Sequence, residues 1–511
     1  MLTQQDIETC LRVLARASEA DPDDPRWEAV RQAAGQIHRA NKKARKAARR
    51  AGLRRRDQEA VAASERYREQ DPGSEPAAGG PAPRAVTASS RGETATSPTV
   101  SPATPPTVSP TVSPVTVPRL LARPRRCYVC KTFYRQVHPD YHLLCSDCSE
   151  ENLVRRHARC DLRGRRAIVT GGRVKIGFHV ALKLLRDGAE VLVTTRFPRD
   201  AARRFAAVRD SGDWLERLHV HGVDLLDLPA VAGLLDSVHR RFPHLDILVN
   251  NAAQTIRRPP AYHREVRAAE NDPLTGEAAG VDVADAGGEA APVLPSVVPA
   301  LSPGSPGASS RPAATDGRAP AGGGTAVREP DLEALFPAGR TDETGQPLDL
   351  REHNSWSLRL HEVDPVEWLE VQTINAFAPF LLTSRLRGLL EASPFPDRYV
   401  VQVSAMEGSF SRENKTVRHP HTNMAKASLN MLTRTAAADY AASGIHMNSV
   451  DTGWVTDERP HPAKTAQREA GFRPPLDVID GAARVYDPIV RGVGGERMSG
   501  LFLKDYRPVE W

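Results

Sequence analysis

From residue 160 to the end, two hydrophobic rhythms alternate along the chain. Short apolar runs such as "RRAIVTGG", "EVLVTTR", "LHVHGVDL", "LDILVNNAA", "RYVVQVSA", "IHMNSVDTG" and "GLFLKDY" have the length of buried strands. Between them lie longer stretches with apolar residues every three or four positions. "FHVALKLLRDG" and "VEWLEVQTINAFAPFLLTSRLRGLL" are examples, and this spacing predicts helices. Strands alternating with helices imply a parallel sheet covered on both faces, because each crossover must return over the sheet. The expected fold class is α/β, doubly wound, with about seven strands in the sheet.

The pattern changes upstream. Residues 1–60 read as a helical hairpin. Thr3 and Asp6 form a capping box, Ile7, Leu11 and Leu14 make one stripe, and Asp24-Pro25 opens a second helix lined by Trp27, Val30, Ala34 and Ile37. That helix runs into "RANKKARKAARRAGLRRR", whose charges surround it. The segment is either a solvated arm or, through residues 39–56, a sequence-independent contact with nucleic-acid phosphates. Residues 71–118 repeat PTVSP and read as an extended linker. A second stretch, from about Glu265 to Gly345, is rich in Ala, Gly, Pro and Ser. It is expected to be a disordered insertion within the α/β domain.

Composition narrows the classes. The 511 residues include 42 prolines and 36 glycines, concentrated in those two stretches, and the net charge is +6. No apolar run approaches the length that spans a bilayer, and the polar start lacks a signal-peptide pattern, so no membrane role and a cytoplasmic location are expected. Four of the six cysteines form two CxxC pairs, Cys127/Cys130 and Cys145/Cys148, around a 14-residue spacer. Each pair puts two thiolates on one side of a tight turn, and two pairs can close a tetrahedron around zinc. Four thiolates complete the shell, so the expected metal is structural, in a zinc-ribbon-like module over residues 119–158.

The segment "AIVTGGRVKIGFHVALKLLRDGAEVLVTTR" is a strand, a glycine-bearing turn, a helix and a second strand. Such a unit aims helix N-terminal amides at a pyrophosphate and marks a Rossmann-type domain over residues 160–511. Here the chain resembles the short-chain dehydrogenase/reductase family. Thr170, Gly171 and Gly177 match the family's TGxxxGxG turn, with Arg173 and Ile176 inside it and Lys175 in place of the middle glycine. Arg196 follows the second strand where an acidic residue would favour NAD. An arginine there favours the 2′-phosphate of NADP, so NADP is expected rather than NAD. Asp224 and Leu225 resemble the adenine-contacting pair. Asn251 and Ala252, in "NNAA", resemble the NNAG signature. Thr452, Gly453 and Val455 lie in a segment resembling PGxxxT, with Thr452 for Pro.

The resemblance implies a reaction that moves hydride between NAD(P) and a carbonyl or alcohol carbon. It uses a Tyr, a Lys four residues later, a Ser and an Asn. Asn375 and Lys426 match two of these, whereas Thr422 stands at the tyrosine position and is too weak an acid to replace a phenol. Ser404 resembles the serine, although aligning Gly408 with the glycine after that strand puts Ala405 there instead. His419 and His421 are the substitute proton donors, since imidazole titrates near neutrality. Arg257 and Arg258 are candidates to meet an anionic substrate. The family resemblance also implies a homo-oligomer through the helices of Asn375 and Lys426. Two readings stay open. One is an NADP-dependent oxidoreductase with a non-standard proton donor, acting on a carbonyl, alcohol or enoyl compound. The other is a catalytically silent NADP-binding scaffold or sensor that works through the zinc module and basic arm.

Overall fold

The computed structural model describes residues 3–69, 119–285, 329–342, 344–413 and 415–511. Eleven strands form two sheets among these residues. β1 (Arg119–Arg126) and β2 (Phe133–Val137) pair antiparallel in a hairpin. The other nine are β3 (Arg166–Thr170), β4 (Glu190–Thr195), β5 (Leu218–Gly222), β6 (Ile247–Asn250), β7 (Asp282–Asp285), β8 (Arg398–Ser404), β9 (Ile445–Asp451), β10 (Phe502–Lys504) and β11 (Arg507–Val509). Their order is β11-β10-β9-β8-β6-β3-β4-β5-β7, and only β11 runs antiparallel to its neighbour.

All seven strands expected from the sequence form, and two more sit at the sheet edges. β7 lies inside the stretch expected to be disordered, which is therefore corrected at both ends. Residues 264–285 and much of 329–351 are ordered, while the stretch between them lies outside the described residues. An edge strand needs backbone pairing more than apolar side chains, so hydrophobic rhythm does not announce it. β7 is held by its ladder to β5 and by His219 and Arg241, which pair with Asp282. The expected linker over 71–118 likewise lies outside the described residues.

Burial explains the central strands. Ala167, Ile168 and Val169 of β3 are almost fully enclosed because helices cover both faces. Lys175–Arg186 and Val478–Val493 pack on one face through Val180, Leu184, Val485 and Ile489. Leu228–Arg241, Ala378–Arg385 and Pro420–Ala442 pack on the other through Val231, Leu234, Leu382 and Ala437. The order of connection reverses between β3 and β6, so their carboxyl ends diverge and leave a crevice.

The helix Gln4–Glu19 has the expected Thr3/Asp6 capping box, and a second helix, Glu28–Ala62, carries the basic stretch. Ile7, Leu11 and Ile37 remain exposed. The last turn of the second helix is buried, with Ala60 and Val61 in one core with Leu121, Tyr141 and Leu476. The cysteine module is thereby fused to the α/β domain. Arg156 bridges Asp477 at 2.7 Å and Asp480 at 2.8 Å, Arg66 lies 3.1 Å from Asp477, and Tyr141 donates to Asp480 at 2.7 Å. Such enclosed charges are tolerated because each carboxylate meets several donors. Among the described residues, no helix is long and apolar enough to cross a membrane.

Candidate active site

A cleft of about 1120 Å³ opens at the carboxyl ends of the central strands. The end expected to take the nucleotide is made largely of backbone. Thr170 Oγ1 accepts from the amides of Asn251 and Ala252, each at 3.0 Å, while Asn251 Nδ2 donates to Thr170 O at 3.0 Å and Gly171 O at 3.2 Å. The turn after β3 and the turn after β6 are thus one hydrogen-bonded unit. A Cβ at Gly177 would lie 2.3 Å from Gly171 O, so no side chain fits there.

Lys175 has φ +53°, the left-handed region that favours glycine. The conformation that a middle glycine would supply is therefore kept, at the expense of strain, and the turn carries a cation instead. Lys175 Nζ lies 3.6 Å from Glu458. Burial alone would raise the Glu458 carboxyl, but Lys175 and neighbouring cations hold it down at about 2. Arg173 bonds Asp200 at 2.6 Å and Gln346 at 3.1 Å. Its guanidinium is 5.2 Å from the Phe197 ring and that of Arg196 is 5.6 Å from it, so two cations lie near one aromatic. Arg196 is exposed, 3.4 Å from His263 Nε2. Asp224 and Leu225 line the same end, and Thr452, Gly453 and Val455 line the opposite part.

The end expected to carry the chemistry is made of side chains. Asn375 is buried outside the cleft wall in a π-helical turn, Thr373–Phe377, where Oδ1 accepts from Gln254 N at 2.7 Å and Nδ2 donates to Gln254 O at 3.0 Å, so it acts on the wall through Gln254. Lys426 lines the cleft and donates to Val403 O at 2.7 Å. Burial lowers its ammonium to about 8, against a smaller opposing pull from Glu407. Ser404 also lines the cleft, but its hydroxyl donates to Asn430 Oδ1 at 2.5 Å. Thr422 is 2% exposed, lies outside the cleft wall, and its Oγ1 has no partner among the described residues. His421 is sealed, 3.6 Å from Glu367, and is likewise outside the wall.

His419 is in the wall. It stacks on Trp356 with centroids 3.9 Å apart, and its Nδ1 is 3.0 Å from Asn423 Oδ1. It stands at the N-cap position of the helix Pro420–Ala442 with φ +42°, a strained conformation for a residue other than glycine. Burial pushes the imidazole pKa down, so the ring is neutral near pH 7. Arg257 pairs with Glu370 at 2.9 Å. Arg258 lines the cleft beside Tyr262, where its guanidinium is 4.6 Å from the ring.

The four cysteine sulfurs of Cys127, Cys130, Cys145 and Cys148 all lie within 4.8 Å of one another. That spacing suits one tetrahedral ion with Zn–S bonds of about 2.3 Å, and thiolates are the donors zinc prefers. Sequence reasoning missed several contributors: Glu458 facing Lys175, Asn430 facing Ser404, Trp356 under His419, and Tyr128 of the cysteine module, which lines the cleft. Asn430 carried a local signal, since it lies one helical turn beyond Lys426. The others come from segments distant in sequence, and no spacing links them to the cleft.

Two family models match. A short chain dehydrogenase model covers residues 165–270, and an enoyl-(acyl carrier protein) reductase model covers 352–471. The gap between them spans most of the insertion. An uncharacterized protein of Acanthamoeba polyphaga mimivirus is 32% identical over 379 residues, 71% of this chain and 71% of that protein. Carbonyl reductase (NADPH) 1 of Sus scrofa is 38% identical over 89 residues, covering 17% of this chain and 30% of that enzyme. A short chain dehydrogenase from Burkholderia cenocepacia J2315, solved in complex with NADP, superposes with a TM-score of 0.41 at 19% identity, over 68% of this chain and 97% of that one.

Proposed function

The chain belongs to the short-chain dehydrogenase family of oxidoreductases, and from that premise we propose that it is an NADP-dependent oxidoreductase with a non-standard proton donor. The observation that carries this reading is that Lys426 stands in the wall of the same cleft as the Gly171–Gly177 turn. The turn suits a pyrophosphate, with the Lys175 cation beside it in place of a bare backbone approach. Arg173 and Arg196, both near the Phe197 ring, suit the 2′-phosphate. Bound NADP(H) supplies or takes the hydride. Lys426 holds the ribose hydroxyls beside Val403, and Asn375 fixes the Gln254 backbone at the edge of the substrate space.

Thr422 replaces the expected phenol and takes no part, because its hydroxyl is enclosed away from the cleft. His419 is the proton carrier. As a neutral imidazole it takes the hydroxyl proton when an alcohol is oxidised to a carbonyl. In the reverse direction it must first be protonated, so reduction is favoured at lower pH. The substrate is a small carbonyl, alcohol or enoyl compound. The four thiolates hold structural zinc, and the protein works in the cytoplasm.

A second reading rests on two hydroxyls that are not free to act in the cleft. With Ser404 bonded to Asn430 and Thr422 enclosed, a catalytically silent NADP-binding scaffold acting through the metal module and basic arm accounts for the same cleft. Residues 39–56 then contact nucleic-acid phosphate, and the helices of Asn375 and Lys426 pair two copies. The test is a titration of the full-length protein with NADPH and NADH, followed by absorbance at the nicotinamide band with carbonyl and enoyl compounds. Preferential NADPH binding with turnover supports the enzyme. Tight binding with no turnover across the panel supports the scaffold.

A further inference from the structure

The cysteine module reaches further into the cleft than a structural appendage requires. Tyr128 lies between two of the four cysteines, yet its ring forms part of the cleft wall. Its Oη accepts from the backbone N–H of Trp454 at 2.9 Å. The phenol is therefore fixed to the Gly453–Val455 segment that closes the cleft after β9. Gly453 has φ +77°, and a Cβ there would lie 2.6 Å from Leu476 Cδ1 and 3.5 Å from Tyr128 Oη. A side chain would crowd the junction where the phenol docks.

The hydroxyl hydrogen has no acceptor among the described residues, although a half-buried phenol ordinarily has one. Two carboxylates face the phenol, and both are engaged: Asp505 Oδ1 takes Arg484 Nη2 at 2.9 Å and its Oδ2 lies 3.5 Å from Lys504 Nζ. Asp451 Oδ1 takes the Gly453 amide at 2.9 Å and Lys504 at 3.2 Å, and its Oδ2 takes the Met406 amide at 2.7 Å. The Lys131 and Lys504 ammonium groups, 4.9 and 5.5 Å from the Tyr128 ring, are donors themselves. What remains is an anchored hydroxyl donor beside the cleft with its hydrogen unspent.

We propose that Tyr128 is a cofactor-contacting residue, donating its hydroxyl hydrogen to the carboxamide oxygen of the bound nicotinamide. This rests on the NADP reading above, with Lys426 on the ribose, and it adds that the nicotinamide lies next to the Thr452–Val455 segment, which lines the same cleft as Lys426 and Tyr128. A donor anchored on that segment meets the ring's carboxamide. The metal module then has a task in the reaction: it delivers a side chain that the α/β domain does not supply.

The test uses full-length, metal-loaded protein and two ligands, NADPH and 2′-phospho-ADP-ribose, which lacks the nicotinamide. Affinity is read by NADPH fluorescence and by competition, with metal content measured for each variant. Tyr128→Phe should weaken NADPH by about three- to tenfold, the worth of one hydrogen bond, and leave 2′-phospho-ADP-ribose unchanged. Tyr134→Phe removes another phenol of the module, one that donates to His142 O at 2.9 Å and lies outside the cleft wall. It should change neither affinity. Unchanged NADPH affinity in Tyr128→Phe overturns the proposal, and so does an equal loss for both ligands, which would mean a distorted cleft rather than a lost contact. If the wild-type protein binds neither ligand, the NADP reading falls and this contact falls with it.

Discussion

At the nucleotide end of the cleft the backbone does the positioning, and at the chemical end side chains from separate parts of the chain do. The first end is a stitched pair of turns in which Thr170, Gly171, Asn251 and Ala252 hold one another through four hydrogen bonds of backbone and side chain. It tolerates Lys175 because the lysine keeps a glycine-like φ and finds Glu458. The second end depends on Trp356 under His419, Asn430 under Ser404, and Tyr128 arriving from the cysteine module. Sites built from backbone change slowly in chemistry, because few substitutions fit. Sites built from converging side chains can exchange one donor for another.

The largest test of that contrast is removal of the metal. Structural zinc contributes on the order of 10 kcal/mol to small cysteine modules. Chelation, or Cys148→Ser, should unfold residues 119–158 and release one ion per chain, measured by metal analysis. It should also make the 453–476 segment sensitive to protease, since Tyr128, Tyr67 and His142 all bond to that segment. Binding of 2′-phospho-ADP-ribose should survive. Loss of both ends together would break the comparison.

Next in size is the proposed proton carrier. His419→Gln should slow turnover by at least about a hundredfold, the usual worth of general acid–base catalysis, with little change in NADPH affinity. His421→Gln should leave the pH profile of turnover intact, since that ring lies outside the cleft. Equal losses in the two variants would contradict the assignment. At the other end, Arg196→Ser should cost about tenfold in NADPH affinity and little for NADH, as expected for one charged contact to phosphate.

Lys426 gives a pH signature. Its ammonium titrates near 8 because of burial. The charged, donating form therefore dominates below that pH and is lost above it. Affinity for NADPH should fall several-fold as pH rises through about 8, and the dependence should vanish in Lys426→Met. Stability should move the opposite way. The unfolded lysine holds its proton up to its ordinary value of 10.5, so between about 8 and that value the unfolded state binds more protons and the apo protein gains stability as pH rises. The smallest effect expected is at Thr422. Thr422→Val removes a buried hydroxyl without a partner and should stabilise the protein by about 1 kcal/mol, read as a higher Tm, with turnover unchanged.

The nucleotide end was legible in the sequence because its determinants are local. A turn, a helix start and the signature after β6 each occupy a few consecutive residues. The seven main strands were legible for the same reason: buried parallel strands are continuous apolar runs. β7 and β11 were not, because edge strands are held by backbone pairing and by ion pairs such as Arg241–Asp282. The chemical end was only partly legible. Lys426 and Asn375 stand in short stretches that resemble family motifs, but which of two neighbouring histidines faces the cleft is set by the helix phase and by Trp356, a residue 63 positions before His419. The cysteine spacing pointed to a metal, while nothing in it indicated that Tyr128 would reach the cleft.

The most direct measurement is NADPH consumption at the nicotinamide band by full-length, metal-loaded protein presented with carbonyl and enoyl compounds, run beside NADH. Turnover of at least one compound, faster with NADPH than with NADH and strongly reduced in His419→Gln, is the predicted result. Tight NADPH binding with no consumption across the whole panel would contradict the enzymatic account.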